Sequence, residues 1–156
     1  MTPPIDACAP LVEAARAADR QGQHQVVSYD GLVSDPAAAG VGYDLVVANF
    51  ALLGDPLQPL LAALAQAALA PGGSLVVQTV HPLSAPDPYV EGWRMEDFCT
   101  FSAAQPWAPM PWYFRTFGGW ISLLRDAGYR IDQVREPLHP QTGTPASLLL
   151  AVSKQA

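Results

Sequence analysis

Four places in this chain carry residue types that could do chemistry: Asp6, Asn49, His81 and the run Trp112-Tyr113-Phe114-Arg115. His81 stands before Pro82 at the end of an apolar run. An imidazole there is suited to take a proton from a bound molecule, or else it bonds the backbone of the segment that follows. His24 and His139 stand at no metal-like spacing to it, so no metal site is expected. Asn49 follows Leu45-Val46-Val47-Ala48 and either turns its amide to a ligand or caps a strand. Asp6 follows Ile5 just before a helical pattern. In dinucleotide-like folds an acid so placed bonds ribose hydroxyls, and an acid at a helix start is also favoured by the dipole alone. The aromatic run either walls a substrate pocket, with Arg115 holding an anionic group, or packs its segment onto the rest of the fold.

The elements that must position these residues follow from the hydrophobic pattern. Tyr43–Asn49 and Ser74–Val80 are apolar without alternation, the mark of strands buried on both faces. Between them Asp55-Pro56 predicts a helix start, Leu57, Leu60, Leu61, Leu64 and Ala68 an apolar helix face, and Pro71-Gly72-Gly73 its end. Strand, helix and strand in this order predict a right-handed parallel crossover. A short helix is expected over Pro10–Ala18, a short strand over Gln25–Tyr29, and loop with at most one helical turn over Ser34–Gly42. Phe117–Ala127 predicts another helix, and Tyr129–Glu136 and Ala146–Ser153 two further strands. In open parallel sheets ligands sit beyond the carboxyl ends of strands, which selects Ser28-Tyr29, Asn49-Phe50 and His81-Pro82. Residues 81–115 hold Trp93, Trp107, Trp112, Phe98, Phe101, Tyr89, Tyr113 and Phe114, an aromatic-rich insertion rather than a linker. Nine of the 16 prolines fall between Pro82 and Pro145, so more loop than regular structure is expected there.

The bulk properties narrow the function classes. A chain of 156 residues is by default one domain, 1–156. Half of it is hydrophobic and only 14% is charged, against a usual ~25%, which favours buried surface or oligomers. A net charge of −6 with eight scattered Lys and Arg argues against a nucleic-acid partner. No apolar run approaches the ~20 residues that span a bilayer, and MTPPIDACAP lacks the basic and apolar regions of a signal peptide, so no membrane partner is expected. Two distant cysteines, Cys8 and Cys99, imply no disulfide framework and fit a cytoplasmic protein.

The order of these pieces resembles the class I S-adenosylmethionine-dependent methyltransferases over most of the chain, from Ile5 onward. IDACAPLVEAARAA resembles the end of that family's second strand and the helix after it. YDLVVANFALLG is similar to its fourth-strand motif. LAALAQAALAPGGSLVVQTVHP resembles the fourth helix, turn and fifth strand, and FGGWISLLRDAGYRIDQVRE the helix and strand after the substrate-side insertion. The resemblance implies an α/β, Rossmann-like sheet, mostly parallel with an antiparallel last strand. It implies S-adenosylmethionine as cofactor, S-adenosylhomocysteine as product and methyl transfer to a small molecule. Asp6 matches the ribose-binding acid, with Ala7 beside it. Ser28 and Tyr29 match the third-strand end near the adenine, and Asn49, Phe50 and Leu52 the fourth-strand end near the methyl. His81, Trp112, Tyr113 and Arg115 fall on the substrate side, with His81 and Tyr113 as candidate catalytic groups.

One departure stands out. The family's first strand and glycine loop belong before Ile5, where only MTPP stands. A sheet truncated on its amino-terminal side is therefore expected. It would leave one edge of the Tyr43–Asn49 strand open, orphan the Gln25 strand and weaken cofactor binding. Residues 1–40 then either repack over that edge or join a homodimer through it. The alternative function is a non-catalytic remnant acting as a binding or dimerisation module.

Overall fold

The computed structural model describes residues 4–85, 87–96 and 108–155. Trp107, Phe98, Phe101 and Cys99, named above, lie outside them.

The two strongest strand patterns form the centre of the sheet. Strand β3 (Tyr43–Asn49) pairs in parallel with β4 (Leu69–Val80), in the register Val46↔Leu75 to Asn49↔Gln78. The crossover between them is helix α3 (Gln58–Ala63), extended by a π-helical turn over Leu64–Ala68. Strand β8 (Ser147–Lys154) lies antiparallel between β4 and β7 (Tyr129–Arg135), giving the order β3-β4-β8-β7. The mostly parallel direction and the antiparallel last strand are thus as the resemblance implies. Helix α4 (Phe117–Asp126) joins the hairpin β5 (Gly92–Glu96) and β6 (Met110–Phe114) to β7.

The core lies on one face of this sheet. Leu60, Leu61 and Leu64 of the crossover and Trp120 and Leu124 of α4 pack on Leu75, Val77, Leu148, Leu150 and Val152. Side chains alternate along strands, so Leu45, Val47, Val76, Leu149 and Ala151 point to the other face. Among the described residues none of these five joins an apolar cluster, and Leu45 and Val47 are 49% and 60% exposed.

Several expectations are corrected by packing. The helix expected from Asp55 begins at Gln58, with Pro59 in its first turn, and Asp55 turns its carboxylate to Arg115 instead of capping. Strand β4 begins at Leu69, and Pro71-Gly72-Gly73 forms a bulge within it rather than a turn before it. Gly73 is required there, because a Cβ would lie 2.7 Å from the Tyr43 carbonyl oxygen. The Gln25 strand (β2, Gln25–Val26) stops early, since Ser28 Oγ accepts the Gly31 amide at 3.0 Å and caps helix α2 (Tyr29–Ser34). Nor is β2 orphaned, for it pairs in parallel with β1 (Ile5–Asp6), and α1 (Ala9–Ala18) connects the two. The Pro-rich insertion is organised by the β5–β6 hairpin, whose Trp112 and Phe114 bury against Val80.

Candidate active site

The carboxyl ends of β1 to β4 carry the residues that the sequence singles out, and three devices fix their positions. The first is the carboxylate of Asp6. Its Oδ1 accepts the Cys8 amide at 2.7 Å, which holds the acid against the first turn of α1. No described group bonds the other oxygen, so it remains free to accept two hydroxyl donors. An open, mainly apolar groove of about 320 Å³ borders this acid, lined by Ile5, Leu11, Val12, Ala15 and His24. Ala7 is exposed beside it.

The second device is Tyr29. Its hydroxyl donates to the Ala51 carbonyl and so ties the start of α2 to the loop after β3. Burial, and then the Asp6 charge, push the phenol above its usual pKa, so it stays a donor at neutral pH. That coupling also brings Tyr29 into the field of Asp6. Ser28, by contrast, is occupied as a helix cap.

The third device is the backbone at Phe50. Its amide continues the β3–β4 pairing by donating to Gln78 at 2.8 Å, and its φ of 48° then turns the chain sharply. A non-glycine residue in the left-handed region carries strain of order 1 kcal/mol or more and often marks a functional turn. The turn leaves Asn49 and Phe50 exposed at the strand end and buries Leu52 beneath them. Nothing in the sequence flags Phe50 as strained, because the residue types there are not turn formers.

The substrate-side candidates separate into two places. His81 is 1% exposed. Its Nδ1 accepts the Leu83 amide at 3.2 Å, which places the ring proton on Nε2, 2.9 Å from Glu136 Oε1. Both ring nitrogens are thereby engaged. Trp112 is buried and meets Phe114 edge to face at 5.9 Å. Tyr113 is half-buried against Trp93 and donates its amide to Leu53 at 2.8 Å, which docks the hairpin on the loop after β3. Arg115 is 5% exposed, with Nη2 at 2.6 Å from Asp55 Oδ1 and its guanidinium near the rings of Tyr113 and Trp120. Its Nη1 is buried without a hydrogen-bond partner. Glu136 and Asp55, the partners of His81 and Arg115, were not legible in the sequence, since each lies 55 or more residues from the group it holds.

Comparison with solved structures places this architecture. A methyltransferase of Mesorhizobium loti dependent on S-adenosylmethionine aligns with a TM-score of 0.71 at 21% identity, over 95% of this chain and 77% of its own. One from Methanosarcina mazei aligns at 0.67 and 15% identity, over 97% and 80%. The chain has the class I methyltransferase fold. The 1,6-didemethyltoxoflavin-N1-methyltransferase of Burkholderia thailandensis, solved with bound 1,6-didemethyltoxoflavin and S-adenosylhomocysteine, shares this fold at a TM-score of 0.62 and 17% identity, over 97% of this chain and 60% of that one. No family model matches the sequence, and no curated protein matches it significantly. Asp6 ends β1 of the two-stranded sheet, Tyr29 opens α2, and Asn49 and Phe50 follow at the end of β3 in the four-stranded sheet, with the Tyr29 hydroxyl on Ala51 linking the two parts. Among the described residues no helix is long and apolar enough to cross a membrane, and no His, Cys, Asp and Glu group is placed to hold a metal ion.

Proposed function

We propose that the chain is a single methyltransferase-like domain that binds S-adenosylmethionine and methylates a small molecule. The observation that carries this reading is the free oxygen of Asp6 at the end of β1, with Tyr29 in its field and bonded to the loop that follows Asn49 and Phe50 at the end of β3, in a methyltransferase fold. The donor set fits the adenosine half of the cofactor. Asp6 accepts from the ribose hydroxyls, Tyr29 and Phe50 offer ring faces to the base, and Asn49 offers an amide and a carbonyl. The fit is weaker at the methionine end, because the chain holds no G-x-G-x-x-G segment whose amides would cradle a carboxylate.

The bound cofactor supplies an electrophilic methyl group on a sulfonium, which an acceptor nucleophile displaces in line. The chain's own contribution is alignment and exclusion of water. Segment 81–115 acts as the substrate-side cover, with Tyr113 beside Leu53 at the mouth of the site. Arg115, with one nitrogen unpaired, is suited to hold an anionic or carbonyl oxygen of the acceptor. His81 serves as a proton acceptor only after releasing the Leu83 amide.

Calorimetric titration with S-adenosylhomocysteine tests the reading. Saturable micromolar binding is expected, weakened about ten- to hundredfold by Asp6→Ala, the range of a hydrogen bond to a charged group. Absence of heat at millimolar ligand would turn the case to the second reading, a non-catalytic binding module. The open edge of β3, with Leu45 and Val47 uncovered, is the observation that favours that alternative.

A further inference from the structure

The loop between β3 and α3 is held from two sides at once. On one side the Tyr29 hydroxyl donates to the Ala51 carbonyl, and the Leu53 amide donates to the same oxygen at 3.1 Å. On the other side the Leu53 carbonyl accepts the Tyr113 amide at 2.8 Å. These hydrogen bonds run without a break from Tyr29 to β6. Two further contacts of the loop reach the same hairpin. The Leu53 side chain packs on Val80, Trp112 and Phe114, and Asp55 holds Arg115. Among the described residues the hairpin is a two-stranded sheet of its own and shares no ladder with the four-stranded sheet. Its seat over the end of β4 is therefore set by the Val80 cluster and by this loop. The loop also contains a point at which it can change. Phe50 sits at φ 48°, a left-handed conformation that a phenylalanine keeps only under restraint. The ladder fixes the Phe50 amide on Gln78, so buried Leu52 and the bonds at Ala51 and Leu53 hold the turn that follows.

We propose that this loop couples the two halves of the site: a ligand seated against Asp6 and Tyr29 tightens the β5–β6 hairpin on the acceptor side, and Tyr29 is the positioning residue that transmits it. The inference rests on the cofactor reading above and goes beyond it by assigning a regulation to that site. Asp6 and Tyr29 are close enough for the carboxylate charge to act on the phenol. A ribose bonded to Asp6 and a base laid on the Tyr29 ring restrict that side chain, and a restricted Tyr29 keeps its hydroxyl on Ala51. The Ala51 and Leu53 carbonyls are then held in place, and the Tyr113 amide keeps its acceptor. Without ligand the Tyr29 side chain, at a residue 36% exposed, exchanges Ala51 for water, and the Leu53–Tyr113 bond is made for less of the time. Linkage makes the coupling reciprocal, so a hairpin loosened from its own side weakens ligand binding. The cover thus closes on a loaded site rather than an empty one, as exclusion of water requires.

Hydrogen exchange of the full chain, resolved by NMR at the Leu53 and Tyr113 amides, tests it, with the amides of the β4–β8 ladder as internal reference. In ligand-free protein, Tyr29→Phe keeps the ring and loses the hydroxyl. It is expected to speed exchange at both amides about fivefold or more, the lower end of coupling between sites, with the ladder amides as in wild type. Saturating S-adenosylhomocysteine is expected to slow the Tyr113 amide of the wild type by a similar factor. Arg115→Met, which loosens the hairpin from its far side, is expected to weaken S-adenosylhomocysteine binding about fivefold in calorimetry. Wild-type exchange at Leu53 and Tyr113 in Tyr29→Phe overturns the proposal. So does a rise shared equally by the ladder, which makes Tyr29 a support of the whole fold, or an unchanged affinity in Arg115→Met. Binding of S-adenosylhomocysteine that leaves the Tyr113 amide unaltered overturns the coupling and leaves the cofactor reading standing. Absence of binding at millimolar ligand removes the cofactor reading and the ligand-driven coupling with it.

Discussion

Arg115 Nη2 sits 2.6 Å from Asp55 Oδ1, and this pair fastens the hairpin side of the molecule to the loop after β3. The guanidinium is almost wholly buried while the carboxylate side chain is 39% exposed, so the two partners are not equivalent. Removing the acid strands a buried cation; removing the cation leaves a carboxylate that water can reach. Asp55→Ala is therefore expected to destabilise by about 2–3 kcal/mol, and Arg115→Met by less, because methionine refills the space among Tyr113, Trp120 and the hairpin. Urea unfolding of the two variants checks the order, and an equal or reversed order refutes the asymmetry.

Tyr129 is completely buried and donates its hydroxyl to the Leu61 carbonyl at 2.9 Å, tying the start of β7 to helix α3. Burial raises its pKa well above the usual value of 10. A raised folded-state pKa means that the folded chain holds the proton more tightly than the unfolded one. The associated stability is complete below pH 10 and is lost as pH rises from there towards the folded value. Stability is expected to be level between pH 7 and pH 9 and to fall above pH 10. Tyr129→Phe should flatten the alkaline fall while lowering stability at pH 8 by about 1 kcal/mol, the worth of one hydrogen bond. Chemical denaturation at pH 8 and pH 11 separates the two effects.

His81 offers a contrast between structural and chemical use. With Nδ1 accepting from Leu83 and Nε2 donating to Glu136, it anchors the turn Pro82–Ser84 at the end of β4. His81→Ala is expected to cost about 2 kcal/mol, by opening a cavity at a position that is 1% exposed and removing the acceptor of the Leu83 amide. His81→Asn, whose side-chain oxygen can still accept that amide, should recover part of the loss. A histidine used only as a base would show no stability change in either variant; thermal melts of the pair decide.

The legible parts of this protein are those set by short-range pattern. The apolar runs of β3 and β4, the leucine spacing of α3, and the glycine and aromatic rhythm of α4 are visible because burial on a helix or strand repeats at a fixed period. Asp6 could be read because it stands directly between a strand end and a helix start. Misreadings arose where side chains competed for the backbone. Ser28 capped a helix where a strand was expected, and Asp55, a good cap in isolation, went to Arg115.

What the sequence determined by itself was therefore the β3–α3–β4 unit, helices α1 and α4, strands β7 and β8, the sheet direction and the resemblance that these carry. Only the tertiary structure decided which distant groups meet: His81 with Glu136, Arg115 with Asp55, Tyr29 with Ala51. It alone also showed that, among the described residues, β1 and β2 pair with each other while β3 pairs on one side. The physical reason is range. Periodicity records whether a residue is buried, whereas a long-range hydrogen bond or an unpaired edge depends on which surfaces remain once the core has closed.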